Sequence, residues 1–138
     1  MSVKKTERHD GELVHVAKAR EAAEYVMHIS DNEYVFPKRA RHTIVNRIQT
    51  MCLELVEYTV EAEEILPSCK QEYDLKHTYM ENAQGICRGI LAILDLSAKT
   101  YKIAPNRMEY ATKLLTDARI KILKRMKVEE ERFKQYRV

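Results

Sequence analysis

The stretch PKRARHTIVNRIQTMCLELVEYTVEAEEILP, residues 37–67, decides the fold class. Between its two prolines, apolar residues recur at alternating steps of four and three, the spacing that places side chains on one face of an α-helix. Proline suits the first position of a helix because its missing N–H would have no partner there. We therefore predict one amphipathic helix over residues 37–66. The apolar stripe consists of Ile44, Ile48, Met51, Leu55, Tyr58, Ala62 and Ile65.

The same spacing recurs in three other segments, which we predict as helices over about residues 11–29, 71–101 and 105–128. Helices joined by short connections run in opposite directions. The sequence thus predicts an all-α protein, an antiparallel up-down-up-down four-helix bundle. A length of 138 residues fits a single domain spanning residues 1–138. We expect flexible ends at residues 1–10 and 129–138.

Composition excludes several classes of protein. Three Gly and three Pro are too few for a turn-rich all-β chain. The three cysteines are odd in number and contain no CxxC pair, which argues against a disulfide scaffold and a zinc knuckle. Residues 1–10 are too polar for the apolar part of a secretion signal, and no segment has the length of a membrane span. We expect a cytoplasmic protein with no membrane partner.

Catalytic and metal-binding patterns are weak. A di-iron bundle needs two Glu-x-x-His pairs facing inward, and only Glu12 with His15 fits. His15 is expected to lie beside the apolar stripe of its helix. No phosphate-binding loop or nucleophile elbow is present. We expect no enzymatic activity, no catalytic residue, no metal, no cofactor and no small-molecule substrate.

The third helix has a wider apolar surface than one seam requires. Ile86, Ile90 and Ile93 form a second stripe, which predicts an interface with another subunit. Gly85 and Gly89 each lower helix propensity by about 1 kcal/mol, and close approach of another helix would compensate. His77 and Gln84 occupy seam positions and are expected to be hydrogen-bonded polar groups that fix register.

Positive charge is concentrated in two helices. Residues 36–49 carry four cations and no acid, and three of the cations follow Pro37 directly, where the helix dipole disfavours positive charge. Either acids of a neighbouring helix or subunit, or an external polyanion such as nucleic acid, would neutralise them. The fourth helix is also rich in cations. The candidate nucleic-acid-binding residues are Lys38, Arg39, Arg41, Arg47, Arg119, Lys121, Lys124 and Arg125.

Two short motifs carry a family resemblance. Phe36-Pro37-Lys38, followed by Arg41, opens a long helix, and residues 101–110, YKIAPNRMEY, join the third helix to the fourth. With the helix lengths, these motifs resemble Avd, the accessory variability determinant of diversity-generating retroelements. The same superfamily contains the proteins encoded by intervening sequences of ribosomal RNA genes. Ala40 and His42 stand where the family commonly has an acidic and an aromatic residue.

The resemblance implies a homopentameric barrel of bundles that binds RNA or DNA and a reverse transcriptase. It also implies an accessory role in mutagenic reverse transcription, without catalysis. The alternative is a structural or protein-interaction bundle of the intervening-sequence type with no direct nucleic-acid binding. In that alternative, the basic and acidic ends of the second helix pair between subunits.

Overall fold

A computed structural model describes residues 13–137, and this part of the chain is helical and contains no strand. The four long helices are α1 (Val14–Asp31), α2 (Asn46–Glu64), α3 (Lys70–Tyr101) and α4 (Pro105–Arg132). Each helix packs against its neighbours in sequence, and α1 also packs against α4. The predicted four-helix bundle is therefore confirmed. The expected flexible end at residues 1–10 lies outside the described residues.

The core lies along the axis between the four helices. Its largest fully buried apolar side chains are Ile48, Leu55, Met80, Ile90, Leu115 and Ile122. In α3 the buried positions are Tyr73, Lys76, Met80, Ala83, Cys87, Ile90, Leu94 and Ser97. The expected seam had His77 and Gln84 in place of Lys76 and Ala83, so it was wrong by one residue at every second position. His77 and Gln84 are half-buried instead.

The entry to α2 differs from the prediction of a regular helix beginning at Pro37. Pro37 precedes a 3-10 turn, Lys38–Ala40, and then a π-helical turn, Arg41–Val45, before the regular α-helix begins at Asn46. Ala40 and Val45 are buried. The irregular turns therefore direct Ala40 and Val45 into the core, while Lys38 and Arg39 are exposed and Arg41 is half-buried.

The carboxyl-terminal segment corrects a second prediction. Helix α4 continues to Arg132 instead of ending near residue 128, and a 3-10 turn, Lys134–Tyr136, follows it. Glu129 and Phe133 are 4% and 7% exposed. Burial of these two side chains stabilises the additional turn of helix. The prediction ended the helix earlier because the charge-rich sequence after residue 128 shows no apolar stripe. Residues 129–137 are thus part of the bundle.

The connection between α3 and α4 contains Lys102, whose φ of 54° places it in the left-handed region. It ends α3 in the position where glycine is most common. The N–H of the next residue, Ile103, donates to the Ala98 carbonyl at 3.2 Å, and the Ile103 side chain is buried. Pro105 then begins α4, as expected for its position.

The proposed subunit-interface stripe of α3 is divided by the fold. Ile90 is fully buried within its own bundle, so it has no surface to offer another subunit. Ile86 and Ile93 are half-buried and pack against the edge of the core. The wide apolar face of α3 is explained mainly by its packing inside the bundle, although Ile86 and Ile93 keep part of their surface exposed and Leu96 is 61% exposed.

Candidate nucleic-acid interface

Lys38, Arg39 and Arg41 lie at the bundle end where α1 and α3 finish and where α2 and α4 begin. The 3-10 turn that carries them is closed by the Ala40 N–H, which donates to the Pro37 carbonyl at 2.9 Å. Because Ala40 is fully buried, the residues around it are directed to the outside. Lys38 and Arg39 are exposed and Arg41 is half-buried.

The carboxylates nearest to two of these cations are weak partners. Lys38 Nζ lies 4.0 Å from Glu33 Oε1, and Arg41 Nη1 lies 4.0 Å from Asp31 Oδ1. The Lys38 side chain is 80% exposed. Exposed ion pairs contribute about 0–1 kcal/mol, and these two are at the distance limit of such a pair. Both cations can therefore exchange their carboxylate for a phosphate at little cost.

Arg39 has an aromatic partner in place of a carboxylate. Its guanidinium carbon lies 5.3 Å from the centroid of the Tyr101 ring at the end of α3. This cation–π contact holds the guanidinium plane at the surface without neutralising its charge. The fold thereby connects the entry of α2 to the α3–α4 connection.

Sequence reasoning missed three cations at the same end. Lys99 and Lys102 lie at the end of α3, and Arg107 lies in the first turn of α4. Lys99 pairs with Asp95 of its own helix at 3.5 Å, and Lys102 is exposed. The predicted up-down topology could have identified these cations. In an antiparallel bundle the end of the third helix lies at the same end of the molecule as the start of the second helix.

Comparison of the chain with models of protein families, with curated proteins and with solved structures gives no significant match.

Arg47 lies in the first turn of α2, directly after the irregular turns that carry Lys38, Arg39 and Arg41. It lines an open groove of about 680 Å³ between α2 and α3, together with Glu54, Glu81, Tyr58 and the exposed Gly85. The two acids give this groove mixed charge. Arg47 is exposed and free of an ion pair within residues 13–137, but its surroundings favour a phosphate less than those of Lys38 and Arg41 do.

The predicted cations of α4 do not form one surface. Arg119 is half-buried, and its Nε donates to Gln84 Oε1 of α3 at 3.1 Å. This bond gives Gln84 the register-fixing role expected for it. Lys121 is half-buried and Lys124 is exposed. They lie toward the opposite end of the bundle, roughly 24 to 28 Å along α4 from Pro105 at 1.5 Å per residue.

The prediction that Arg125 binds nucleic acid is wrong, because Arg125 lies in an internal ion network. One guanidinium nitrogen is 2.6 Å from Glu63 Oε1 of α2, and Nε is 3.7 Å from Glu129 Oε2. Its side chain is 17% exposed. A guanidinium that already faces two carboxylates has no free edge for a phosphate, so Arg125 is removed from the candidate interface.

The ion network joins all four helices at the end opposite the basic cluster. Lys76 Nζ lies 2.8 Å from Glu129 Oε2, and it also donates to the carbonyls of Ala62 and Ile65 at the end of α2. His15 Nε2 lies 3.2 Å from Glu63 Oε2, and the His15 side chain is 1% exposed. The expectation that His15 lies beside the apolar stripe is therefore wrong.

Burial raises the pKa of Glu63, but the His15 imidazole and the charges of Arg125 and Lys76 outweigh burial and lower the pKa below its ordinary value. The network places charged side chains of all four helices in contact at this end of the bundle. Within residues 13–137, no three His, Cys, Asp or Glu side chains are grouped as metal ligands. No helix of that part of the chain is long and apolar enough to cross a membrane.

Proposed function

We propose that this protein is a non-catalytic accessory protein of a diversity-generating retroelement, which binds nucleic acid and a reverse transcriptase during mutagenic reverse transcription. One observation supports the nucleic-acid part most directly. Lys38, Arg39 and Arg41 stand together at one exposed end, two with carboxylates only at 4.0 Å and one against an aromatic ring. The resemblance of residues 36–41 and 101–110 to Avd supports the retroelement part.

In this proposal the basic end contacts phosphates, and Lys99, Lys102 and Arg107 extend the surface. Phosphate contacts give affinity without sequence preference and release counterions when they form. The protein acts in the cytoplasm, where its reverse transcriptase partner is made. It requires no cofactor, since binding and positioning of the template are its whole contribution.

The test removes three charges from the basic end, in the variant Lys38→Gln, Arg39→Gln and Arg41→Gln. Binding to a labelled single-stranded RNA is measured by fluorescence anisotropy between about 50 and 200 mM salt. Across this range a protein with roughly 6–10 phosphate contacts loses about 10³- to 10⁵-fold in affinity, because binding releases counterions. We expect weaker binding to all sequences, and a slope of log K against log salt that is smaller by about 2, at about 0.7 for each lost contact.

A matched control removes three exposed charges from the other end, in the variant Lys70→Gln, Lys127→Gln and Lys134→Gln. The two triple variants have the same net charge, so a difference between them reports position. Equal RNA affinity in wild type and the first variant, or an equal loss in both variants, would contradict the proposed surface.

We further propose that the bundles assemble as a homopentameric barrel, as the resemblance to Avd implies. Ile86 and Ile93 keep part of their surface exposed on α3. These two side chains are available to a neighbouring subunit. Multi-angle light scattering that gives five times the monomer mass would support the pentamer, and a monomer would contradict it.

A second candidate function is favoured by the acidic half of α2. Glu54, Glu57, Glu61 and Glu64 make no ion pair within residues 13–137, and the basic residues lie at the other end of the same helix. Such a helix can pair head-to-tail between subunits in a structural bundle of the intervening-sequence type. Subunits held by these charges should separate as salt rises, whereas an apolar interface should persist.

A further inference from the structure

Tyr34 differs from the other tyrosines of the chain. The sequence contains eight tyrosines, and seven of them contact an aromatic ring or a guanidinium group. Tyr34 contacts neither among residues 13–137, and it is 98% exposed. These seven tyrosines form five pairings: Tyr25 with Tyr110, Tyr58 with Tyr79, Tyr73 with His77, Tyr101 with Arg39, and Tyr136 with Phe133.

The backbone around Tyr34 is held in place although its ring is free. The Tyr34 N–H donates to Asn32 Oδ1 at 2.9 Å, and the N–H groups of Val35 and Phe36 both donate to the Asn32 carbonyl. Val35 and Phe36 are 5% and 2% exposed. Two buried side chains and a closed turn therefore fix the loop, and the ring is presented to solvent at a defined position.

The charges around Tyr34 favour an anionic ligand. Lys38, Arg39 and Arg41 follow it in the next two turns, and the guanidinium carbon of Arg39 lies 5.3 Å from the centroid of the Tyr101 ring. Glu33 and Asp31 are also near, but they face Lys38 and Arg41 at 4.0 Å and neutralise them only weakly. An exposed ring beside poorly neutralised cations is the combination that single-stranded nucleic acids recognise.

We infer that Tyr34 is a stacking platform for an unpaired base, and that the preferred ligand of the basic end is single-stranded nucleic acid. This inference rests on the proposed function. In a duplex each base is stacked between its neighbours, so a ring on a loop has no free base face to contact, whereas an unpaired base has one. The cations that follow Tyr34 contact the phosphates on either side of that base.

The test compares Tyr34→Ala, Tyr34→Leu and Tyr34→Phe, which should retain the fold because Tyr34 is 98% exposed. Stacking on one base predicts a loss of roughly 5- to 150-fold in affinity for a single-stranded oligonucleotide in the Ala and Leu variants. The Phe variant should bind like wild type, because it keeps the aromatic face. Affinity for a duplex of the same sequence should not change.

A fluorescent variant provides a direct signal. The chain contains no tryptophan, so Tyr34→Trp introduces a single indole at the platform. Its emission should be quenched by a single-stranded oligonucleotide and not by an abasic strand of the same length, which has the phosphates but no bases. Equal quenching by both strands would contradict stacking.

The outcomes separate the two proposals. If wild type binds oligonucleotides and Tyr34→Ala binds them equally well, the inference is overturned, Tyr34 serves another class of partner such as a protein, and the basic end remains a phosphate surface. If wild type binds neither single strands nor duplexes, the proposed function and the inference both fail. Loss of single-strand binding in the Leu variant with retention in the Phe variant supports both.

Discussion

Lys76 of α3 caps the end of α2 from inside the bundle while its Nζ lies 2.8 Å from Glu129 Oε2 of α4. The last carbonyls of a helix have no partner within the helix, and a cation at that end also matches the helix dipole. One buried ammonium group therefore provides a cap for one helix and an ion pair with another. This relationship explains why α4 continues past residue 128.

Lys76→Met should destabilise the protein strongly. The substitution leaves Glu129 without its nearest cation and leaves the α2 carbonyls without a donor, and removal of one partner of a buried ion pair costs about 3–5 kcal/mol. The free energy of unfolding is measured by urea denaturation. The double variant Lys76→Met with Glu129→Gln should regain part of the loss. A single variant as stable as wild type would show that the pair makes no net contribution.

Glu63 predicts a dependence of stability on acid. Its pKa is lowered in the folded protein, so between that value and the ordinary pKa of 4.5 the unfolded state binds more protons. The stabilisation is present above pH 4.5 and is lost as the pH falls through the folded pKa. Urea denaturation from pH 6 to 3 should give a smaller decline for Glu63→Gln than for wild type. Parallel profiles would contradict this assignment.

Gly85 and Gly89 predict different effects of the same substitution. An added Cβ at Gly85 meets nothing within 4 Å, so Gly85→Ala should stabilise the helix by about 0.5–1 kcal/mol. At Gly89 the added Cβ lies 2.7 Å from Met51 Cε, which must move. Gly89→Ala should therefore stabilise less. Thermal unfolding of the two variants checks the order, and a destabilised Gly85→Ala would show that another chain occupies the space.

The cysteines predict selective alkylation. Burial, with an added contribution from Cys87, raises the pKa of Cys52 to about 12, and burial raises the pKa of Cys87 to about 12 although Arg119 opposes it. The reactive thiolate is thus scarce at both positions. Iodoacetamide at pH 8 should modify Cys69 in the folded protein and all three cysteines in urea. Mass spectrometry of the digests identifies the sites, and rapid modification of Cys52 or Cys87 before unfolding would contradict their burial.

The helices were predictable because apolar periodicity is local, but the partners of charged residues were not. The stripe of α2 was confirmed at Ile48, Leu55 and Ala62, whereas Cys52 and Thr59 are buried in place of Met51 and Tyr58. The seam of α3 was misassigned at Lys76, because sequence reasoning places a lysine outside and His77 inside. Only the carbonyls of α2 and the carboxylate of Glu129, far away in the chain, make the lysine the buried residue.

The candidate nucleic-acid interface was also predictable only in part. The cations at residues 38–41 were found from their density in the sequence, since an acid-free segment is visible without a structure. Arg125 belongs to an equally dense segment, yet it pairs with Glu63, and the distance of 62 positions between them hides that contact. Tyr34 was missed because nothing in the sequence separates an exposed tyrosine from the seven that pack.

Lys102 keeps its left-handed backbone at a cost, because the left-handed region disfavours every side chain by about 1–2 kcal/mol and glycine by far less. A glycine there would make the bundle sturdier and its end less positive. The connection between α3 and α4 is thus less stable to heat than it would be with glycine, but it carries an additional cation next to Tyr101. The variant Lys102→Gly should therefore unfold at a higher temperature and bind anions more weakly than wild type.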